Sequence, residues 1–451
     1  MDVSQGPARI AFEIACTLQA KGHVAYFAGG CVRDFLRGET PKDFDIATSA
    51  SPDEVERLFP KTVAVGKQFG VILVYREGKT FEVATFRSEG PYVDGRHPSS
   101  VRFTSPQEDA QRRDFTVNGL FYDPFEKKVI DYVGAEADIR KRVIQAIGEP
   151  EARFQEDKLR LLRAVRFAAN LDYSIEEKTW TAVKRLTPKI HEVSAERIRD
   201  ELIKTFTRPG AGRGLELLLE SGLLQEILPE VAVMKGVEQP PEFHPEGDVF
   251  THTQMLMERL ENPSAVLAFA ALLHDVGKPP TFQVREGRIR FYEHSRVGAE
   301  IAERILRRLR FSNDEIEAIA TCVDNHMKFA NVKEMRVGKL KRFMSLPTFP
   351  TELELHRIDC QASHGLLDNY EFLKRKREEF REEELKPKPL LNGDDLKSLG
   401  MKPGPEMKPI LEEAYELQLE KRIQTKEEAL AWGRAKMGGG NSECPNSCES
   451  L

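Results

Sequence analysis

The sequence lacks any apolar run near the roughly 18 residues that a membrane-spanning helix requires, which excludes an integral membrane protein. Its first residues also lack the order of a secretory signal, in which basic residues precede an apolar stretch. The composition, with 40% hydrophobic and 31% charged residues, is that of a soluble globular protein. We therefore expect a cytoplasmic location and no membrane partner.

Cysteine is scarce, with six residues in 451, and the spacing is irregular. This pattern excludes a disulfide framework and predicts reduced thiols. Cys444 and Cys448 form one C-x-x-x-C pair. Because a structural zinc site needs about four ligands, we expect no zinc at this pair.

An excess of positive charge is absent too. The formal net charge of -6 argues against a protein that coats nucleic acid indiscriminately, because phosphate binding demands clustered Lys and Arg. The sign reverses in one segment, residues 151–213, which holds 14 Lys and Arg against 10 Asp and Glu. This segment is therefore the first candidate for an RNA-binding surface.

The length of 451 residues predicts roughly three or four structural units. Helix and strand signals alternate in the first third of the chain, which indicates a small α/β domain. From residue 151 onward strand signals nearly vanish, so the remainder is predicted to be all-α, with a break at prolines near residue 240. The elements predicted in the first third are helices at 8–21 and 32–36, strands at 24–28 and around 45, and a hairpin at 71–75 and 80–86.

Two glycines, Gly29 and Gly30, stand between a predicted strand and helix, and Arg33 follows within the first turn. Paired glycines let the backbone approach a triphosphate closely, while helix N–H groups and Arg33 supply positive charge. On its own, such a pair is more often a simple tight turn.

Asp43 and Asp45 flank Phe44 in the next predicted strand. Side chains two residues apart on a strand project from the same face, so both carboxylates share one side while Phe44 turns into the core. Mg²⁺ bound by one or two carboxylates and by substrate phosphates is the common way to hold such a pair together. The alternative is a solvated pair at a strand end.

These motifs, with residues 87–98 and 112–120, resemble the head-domain signature of the class II tRNA nucleotidyltransferase and bacterial poly(A) polymerase family, within the polymerase-beta-like superfamily. The segment 87–98, including Tyr92 to Pro98, is similar to the family's flexible loop. Segment 112–120 is similar to its second motif, except that Gly119 stands where Ala is usual.

The resemblance implies a metal-dependent transfer in which Asp43 and Asp45 hold Mg²⁺ and the RNA 3′-hydroxyl is activated. Glu82, on a neighbouring predicted strand, is a candidate third carboxylate, although it could equally pair with Arg87 or Arg113. In the second motif the resemblance assigns nucleotide binding to Arg113 and Asn118, with Asp114 orienting the site.

Residues 155–167 resemble the family's base-reading motif and the arginines that follow it. On one helix, Asp157 and Arg160 would be neighbours at i and i+3. The carboxylate then accepts from an exocyclic amine and the guanidinium donates to the adjacent ring nitrogen, a pattern that cytosine and adenine share and that uracil and guanine invert. Arg163 and Arg166 complete the predicted nucleotide-binding set, but helical spacing turns Arg166 roughly opposite Asp157.

In the helical half, four of the chain's ten histidines collect with acidic residues. Adjacent His274 and Asp275 on an apolar helix are costly to bury without a metal or partners. With His252 and Asp359 they resemble the HD superfamily of metal-dependent phosphohydrolases, and this implies a divalent transition metal such as Mn or Ni. His294 and His326 are candidates for a second metal or a phosphate.

The predicted fold is therefore an α/β nucleotidyltransferase (polymerase-beta-like) head followed by an all-α neck, body and HD domain. The predicted boundaries are 1–145 for the head, 146–240 for the neck and body, 241–385 for the HD domain and 386–451 for a helical tail. The resemblance implies addition of CMP and AMP from CTP and ATP to the 3′ end of tRNA. The alternatives are A-adding, CC-adding or poly(A)-polymerising relatives, an HD phosphohydrolase with a vestigial head, and a non-catalytic RNA-binding protein.

Overall fold

The computed structural model describes residues 1–90, 100–242, 244–380 and 387–437, which form two compact units. Unit 1 comprises Met1–Gly236, Thr253–Ala268 and Arg304–Ser312. Unit 2 comprises Val237–His252, Phe269–Glu303 and the described residues from Asn313 onward. Across the described ranges, no helix combines the length and apolarity needed to span a membrane.

Unit 1 contains a seven-stranded mixed sheet in the order β3-β4-β5-β2-β1-β8-β9. Strands β2 and β5 are parallel, and the other neighbours are antiparallel. The strands of this region are β1 (Ala25–Ala28), β2 (Asp45–Thr48), β3 (Thr62–Gly66), β4 (Val71–Arg76), β5 (Lys79–Thr85), β6 (Arg87–Glu89), β7 (Val101–Phe103), β8 (Leu120–Asp123), β9 (Lys128–Asp131) and β10 (Val143–Ile144).

Aromatic side chains form much of the core under this sheet. Phe86 and Phe121 are fully buried, with ring centroids 5.7 Å apart in a T-shaped contact, a geometry that aromatic quadrupoles favour. The helices of the region are α1 (Gly6–Gln19), α2 (Gly30–Leu36), α3 (Pro52–Leu58), α4 (Pro106–Gln111) and α5 (Ala135–Lys141).

The predicted hairpin is confirmed as β4 and β5, whose turn places Glu77 and Gly78 at φ values of 50° and 72°. The strand around Asp45 is shorter than predicted. It begins at Asp45, the residue paired with Ala28 at the end of β1, so Asp43 and Phe44 precede the strand.

The rest of unit 1 is mostly helical. One short strand, β11 (Ser174–Ile175), pairs with β10. The helices are α6 (Pro150–Glu156), α7 (Leu159–Leu171), α8 (Glu177–Leu186), α9 (Ala195–Phe206), α10 (Ala211–Ser221), α11 (Leu223–Ile227) and α12 (Pro229–Ala232).

The prediction of one helix through residues 155–167 is wrong, because the helical conformation is interrupted between α6 and α7. Asp157 has extended backbone angles, φ -147° and ψ 108°. Its carboxylate accepts a hydrogen bond from the backbone N–H of Leu159, at 3.0 Å. Asp is favoured at such a position because its side chain satisfies a donor that the helix leaves unpaired. Asp157 and Arg160 therefore do not lie on one helical face.

Unit 2 also differs from an all-α prediction, because it contains an antiparallel hairpin of β12 (Phe282–Arg285) and β13 (Arg288–Phe291). The remaining helices are α13 (Val249–Glu258), α14 (Ala265–Leu273), α15 (Lys278–Thr281), α16 (His294–Arg308), α17 (Asn313–Asn325), α18 (Val337–Met344), α19 (Phe349–Ala362), α20 (Asp368–Glu379), α21 (Gly393–Ser398), α22 (Met407–Leu419) and α23 (Lys426–Met437). Cys444 and Cys448 lie outside the described residues.

Gly119 is packed too tightly for a side chain. A Cβ built there would lie 2.6 Å from Cγ2 of Val133 and 3.3 Å from Cδ1 of Ile147. Real Cβ atoms do not approach carbon so closely. The Val133 methyl therefore fills the space that an alanine would need, and this accounts for the departure from the family motif.

We predict that Gly119→Ala lowers the free energy of unfolding by about 1 to 3 kcal/mol, because it overpacks this site. Adding the substitution Val133→Ala should restore much of the lost stability, because it removes the methyl group that the alanine Cβ at position 119 would meet. Denaturant titration of the parent, both single variants and the double variant measures the coupling. Strictly additive effects would contradict the assignment.

Candidate active site and candidate metal centre

The head contains a cleft of about 640 Å³ bordered by the start of β2, by β5 and by the start of α7. Six arginines and five acidic residues face it, so a polyanion can be held beside carboxylates. These charged residues are Asp45, Glu82, Arg87, Glu89, Arg112, Arg113, Asp114, Asp157, Arg160, Arg163 and Arg197.

Two carboxylates are neighbours at one edge of the cleft. Strands β2 and β5 are parallel with Ile46 opposite Val83, so Asp45 and Glu82, each one residue earlier, lie side by side. Burial raises the pKa of Asp45 to about 6, and the charges of Glu82 and Asp43 add to the rise while Arg113 opposes it. The Asp45 carboxyl nevertheless remains open to the cleft. Like charges held this close fit a divalent cation.

Glu82 has no ion-pair partner within the described part of the chain. The two arginines that were possible partners are occupied elsewhere. Arg87 pairs with Glu89 at 2.8 Å, and Arg113 pairs with Asp109 at 3.0 Å. Glu82 is therefore available, next to Asp45, as a third carboxylate.

The glycine pair and the second motif meet in one hydrogen-bonded network. Gly29 has φ 66°, and a Cβ there would lie 3.3 Å from Nη1 of Arg113. Nη1 of Arg113 donates to the backbone carbonyl of Asn118 at 3.0 Å, and Nη1 of Arg33 donates to Oδ1 of the same residue at 2.8 Å. The glycine thus permits the close approach of an arginine that faces the cleft.

Asp114 links this network to α7. Burial alone would raise the pKa of Asp114, but Arg163 and the Asn118 amide beside it lower it to about 2. Nη2 of Arg163 lies 2.6 Å from Oδ2 of Asp114. Arg163 is thereby fixed at the wall of the cleft.

The four residues predicted in segment 155–167 to bind the nucleotide separate into two groups. Asp157, Arg160 and Arg163 line the cleft. Arg166 is buried away from it and pairs with Glu201 at 2.6 Å. The predicted site residues Gly29, Gly30, Arg33 and Asp43 are not among the residues that line the cleft.

Arg197 is a cleft residue that the sequence analysis did not identify. It pairs with Asp157 at 2.7 Å across the start of α7. The positive charge of segment 151–213 was the available signal, but nothing in the local sequence separates Arg197 from Arg199, which pairs with Asp200. The loop residues 91–99, including Tyr92 to Pro98, lie outside the described residues.

Unit 2 brings the predicted histidines together at a second site. In three of them the Nδ1–H donates to the backbone carbonyl three residues earlier: His274 to Ala271 at 2.8 Å, His294 to Phe291 at 2.9 Å and His326 to Val323 at 2.6 Å. In His252, Nδ1 contacts Oε1 of Glu246 at 2.6 Å. Each ring therefore presents Nε2 to the site, as metal-binding histidines do.

The Nε2 atoms of His252 and His274 lie close to carboxylates. Nε2 of His252 lies 3.0 Å from Asp359, and Nε2 of His274 lies 3.2 Å from Asp275. Both nitrogens are buried and lack a hydrogen-bond partner among the described residues. Buried, unsatisfied lone pairs beside carboxylates fit a bound cation better than a hydrogen-bonded core.

A second ligand group shares Asp275. Its oxygen and Nε2 of His294 and His326 lie within 4.8 Å of one another, as do the ligand atoms of His252, His274 and Asp275. Burial lowers the pKa of His326 to about 3, so this ring is neutral and able to bind a metal. The sequence-predicted residues thus converge, and Glu246 and His244 join them as partners that were not predicted.

Comparison with family models matches three segments. Residues 25–145 match the poly A polymerase head domain, residues 172–235 match the "probable RNA and SrmB- binding site of polymerase A", and residues 248–359 match the HD domain.

Relatives extend the similarity over nearly the whole chain. A CCA-adding enzyme of Bacillus cytotoxicus is 32% identical over 424 residues, 92% of this chain and 94% of its own length. One from Geobacillus sp. (strain WCH70) is 46% identical over 218 residues, 48% of this chain and 54% of its own. The crystal structure of the Bacillus stearothermophilus CCA-adding enzyme in complex with CTP matches with a TM-score of 0.73 and 28% identity, covering 96% of this chain and 98% of that one.

We predict that Asp45→Asn raises the melting temperature of the metal-free protein above pH 6. The raised pKa means that the folded state holds this proton more tightly than the unfolded chain, so the parent loses stability as pH rises from about 4 to about 6. Asn does not titrate, so its advantage grows over that window. Adding MgCl₂ should stabilise the parent more than Asp45→Asn, whereas Glu126→Gln, at an exposed carboxylate, should match the parent. Equal responses of parent and Asp45→Asn would refute cation binding here.

Proposed function

The chain belongs to the CCA-adding enzyme family, and from this membership we infer that it adds CMP and AMP from CTP and ATP to the 3′ end of tRNA. In each addition the RNA 3′-hydroxyl loses its proton to solvent and its oxygen bonds to the α-phosphorus. The bond from the α-phosphorus to the oxygen bridging the β-phosphate breaks, and pyrophosphate leaves. The observation that carries the proposal is the cleft in which Asp45 and Glu82 face Asp157, Arg160 and Arg163.

We assign Asp43, Asp45 and Glu82 as the residues that would hold Mg²⁺. When bound, the ion would stabilise the charge that develops on the phosphate oxygens and lower the pKa of the attacking hydroxyl. Arg113 and Arg33, fixed through Asn118, supply positive charge for the triphosphate beside the backbone of Gly29 and Gly30. These groups hold the nucleotide in line with the RNA end, and such positioning is a large part of phosphoryl-transfer catalysis.

Base selection is assigned to Asp157 and Arg160. Both line the cleft, but they are held by separate contacts: Asp157 by Arg197, and Arg160 by Glu156 at 2.5 Å and the carbonyl of Arg153 at 2.7 Å. Fixed in this way, the carboxylate accepts from an exocyclic amine and the guanidinium donates to a ring nitrogen. A wrong base would leave these groups unsatisfied, at about 1 to 3 kcal/mol each.

Arg163 and Arg166 take supporting parts in this proposal. Arg163 reaches the cleft and fixes Asp114, whereas Arg166 joins α7 to α9 through Glu201. We also propose the four-part division at residues 145, 240 and 385.

The function is tested by supplying tRNA transcripts that lack the last one, two or three nucleotides and sequencing the products made with each nucleotide triphosphate. Failure to restore CCA on every transcript would contradict the complete activity and favour an A-adding, CC-adding or poly(A)-polymerising enzyme.

We predict that Asp157→Ala and Arg160→Ala relax base choice more than they weaken tRNA binding. Each substitution removes one half of the hydrogen-bonding pattern that excludes UTP and GTP, so misincorporation should rise by roughly tenfold or more, the ratio equivalent to about 1.4 kcal/mol. Arg140→Ala, at an exposed ion pair on α5, is the matched control. Unchanged exclusion of UTP and GTP in both cleft variants would disprove the base-reading assignment.

A second function is favoured by the histidine and aspartate site of unit 2. We propose that it is a metal-dependent phosphohydrolase centre, with a transition metal such as Mn²⁺ or Ni²⁺ held by His252, His274, Asp275 and Asp359. On a 2′,3′-cyclic phosphate, water attacks phosphorus, one ester bond breaks, the released ribose oxygen takes a proton, and a monophosphate remains. The observation that favours this function is the pair of buried Nε2 atoms without hydrogen-bond partners.

We predict that His274→Ala combined with Asp275→Ala removes bound transition metal and hydrolysis of 2′,3′-cyclic nucleotides, while CCA addition is largely retained. The two sites use separate ligand sets, so neither requires the other's metal. His364→Ala combined with Asp368→Ala removes the same residue types elsewhere in unit 2 and should change nothing. Elemental analysis measures the bound metal, and a phosphatase assay measures hydrolysis in the parent and in both double variants. Equal metal content in both double variants would refute the metal assignment.

A further inference from the structure

The hairpin of β12 and β13 is an exposed two-stranded ribbon beside the metal centre of unit 2. Its four cross-strand pairs run from Phe282 opposite Phe291 to Arg285 opposite Arg288, and Glu286 and Gly287 form the turn at φ 50° and 73°. Val284, at 61% relative exposure, shows how little of the ribbon is covered. An isolated hairpin is marginally stable in water, so this one is suited to pairing with a ligand.

The ribbon has one basic and one apolar face. Side chains alternate along a strand, and directly opposed residues share a face. Gln283 and Arg290 therefore lie on the same side as Arg285 and Arg288, whereas Val284 and Ile289 lie on the other. The basic face carries three guanidinium groups and no carboxylate.

These three guanidinium groups are not neutralised by protein. Within the described ranges, Arg285, Arg288 and Arg290 have no carboxylate partner, and all three are exposed. Arg296, on the following helix, instead pairs with Glu293 and Glu300 at 2.7 Å each. In a chain of net charge -6, an unpaired run of arginines on an extended ribbon is complementary to a polyanion.

The ribbon is joined directly to the metal centre. The carbonyl of Phe291, the last residue of β13, accepts the hydrogen bond that orients His294. Nζ of Lys278 lies 5.5 Å from the centroid of the Phe291 ring and 2.7 Å from Oδ2 of Asp275. The base of the ribbon therefore lies next to the proposed phosphohydrolase ligands.

Two exposed aromatic rings stand at the base of the ribbon. Phe282 is 40% exposed and Tyr292 is 53% exposed, and the guanidinium of Arg285 lies 5.4 Å from the centroid of the Tyr292 ring. Tyr292 thus places an exposed aromatic ring beside an arginine, the combination that binds single-stranded nucleic acid, because bases stack on such rings while guanidinium groups contact phosphates.

We propose that this ribbon docks a single RNA strand whose terminal phosphate is the substrate of the metal centre in unit 2. The substrate class is then an oligonucleotide ending in a cyclic or 2′-phosphate rather than a free nucleotide. The inference rests on the proposed phosphohydrolase function. It adds a binding surface to that site and names what the surface recognises.

The test compares the full-length parent with the variant Arg285→Ala/Arg288→Ala/Arg290→Ala. Substrates are an eight-nucleotide RNA ending in a 2′,3′-cyclic phosphate and the corresponding 2′,3′-cyclic mononucleotide. We expect the KM for the oligonucleotide to rise by about tenfold or more at low salt with kcat unchanged, while both constants for the mononucleotide stay at parental values. The slope of log Kd against log salt for the RNA should fall in magnitude by about 2, the value for three phosphate contacts on a single strand.

The control variant Lys333→Ala/Arg336→Ala/Lys339→Ala removes the same charge from another exposed part of unit 2 and should behave as the parent. Equal oligonucleotide KM and salt slope in the parent and the ribbon variant would overturn the proposal. A parent that hydrolyses neither substrate would overturn the phosphohydrolase function. In that case the salt dependence of RNA binding by the parent and the ribbon variant would still test whether the ribbon binds RNA. Competition by poly-glutamate as strong as that by RNA would overturn RNA as the partner and indicate an acidic protein.

Discussion

The carboxylate of Asp114 is the interaction on which the cleft of the head depends. It accepts from the backbone N–H of Phe115 at 2.8 Å, from the Asn118 amide at 3.1 Å and from Arg163 at 2.6 Å. One buried charge thereby holds the second sequence motif in its turn and attaches it to α7. Through Asn118 the same network positions Arg33 and Arg113. A buried carboxylate bonded on this many sides is strongly favoured, whereas removing one partner would leave the others unsatisfied.

Much of this arrangement could be predicted from the sequence. Alternation and turn residues located the β4 and β5 hairpin, and residue chemistry selected Asp45, Asp157, Arg160 and the histidines of unit 2. The break at Asp157 was missed, because the pattern of Leu and Arg around it has the period of a helix. The Asp157 side chain, at the interruption, accepts a hydrogen bond from the backbone N–H of Leu159, the first residue of α7. Local capping outweighs helical periodicity at that residue, and a periodic pattern cannot show it.

Arg197 and the β12 and β13 hairpin were missed for different reasons. Arg197 becomes part of the cleft only because α9 packs near α7, which is tertiary information. The hairpin is marked by Glu286 and Gly287, but its strands are four residues each, and such short stretches between helices carry little periodic signal. The two proposed metal-binding arrangements are also indicated by different observations. In the head, the repulsion of Asp45 and Glu82 indicates a cation, whereas in unit 2 the indication is nitrogen lone pairs without donors.

The way in which the histidines of unit 2 are oriented has a consequence for mutational tolerance. A main-chain carbonyl exists whatever residue carries it, so no point mutation at Ala271, Phe291 or Val323 deletes the acceptor that sets the tautomer of His274, His294 or His326. Among the four rings, His252 alone is oriented by a side chain, that of Glu246. Substitutions at these three positions can therefore change side-chain packing while the backbone acceptor that orients each ring is kept. At the fourth ring, a single codon controls that acceptor.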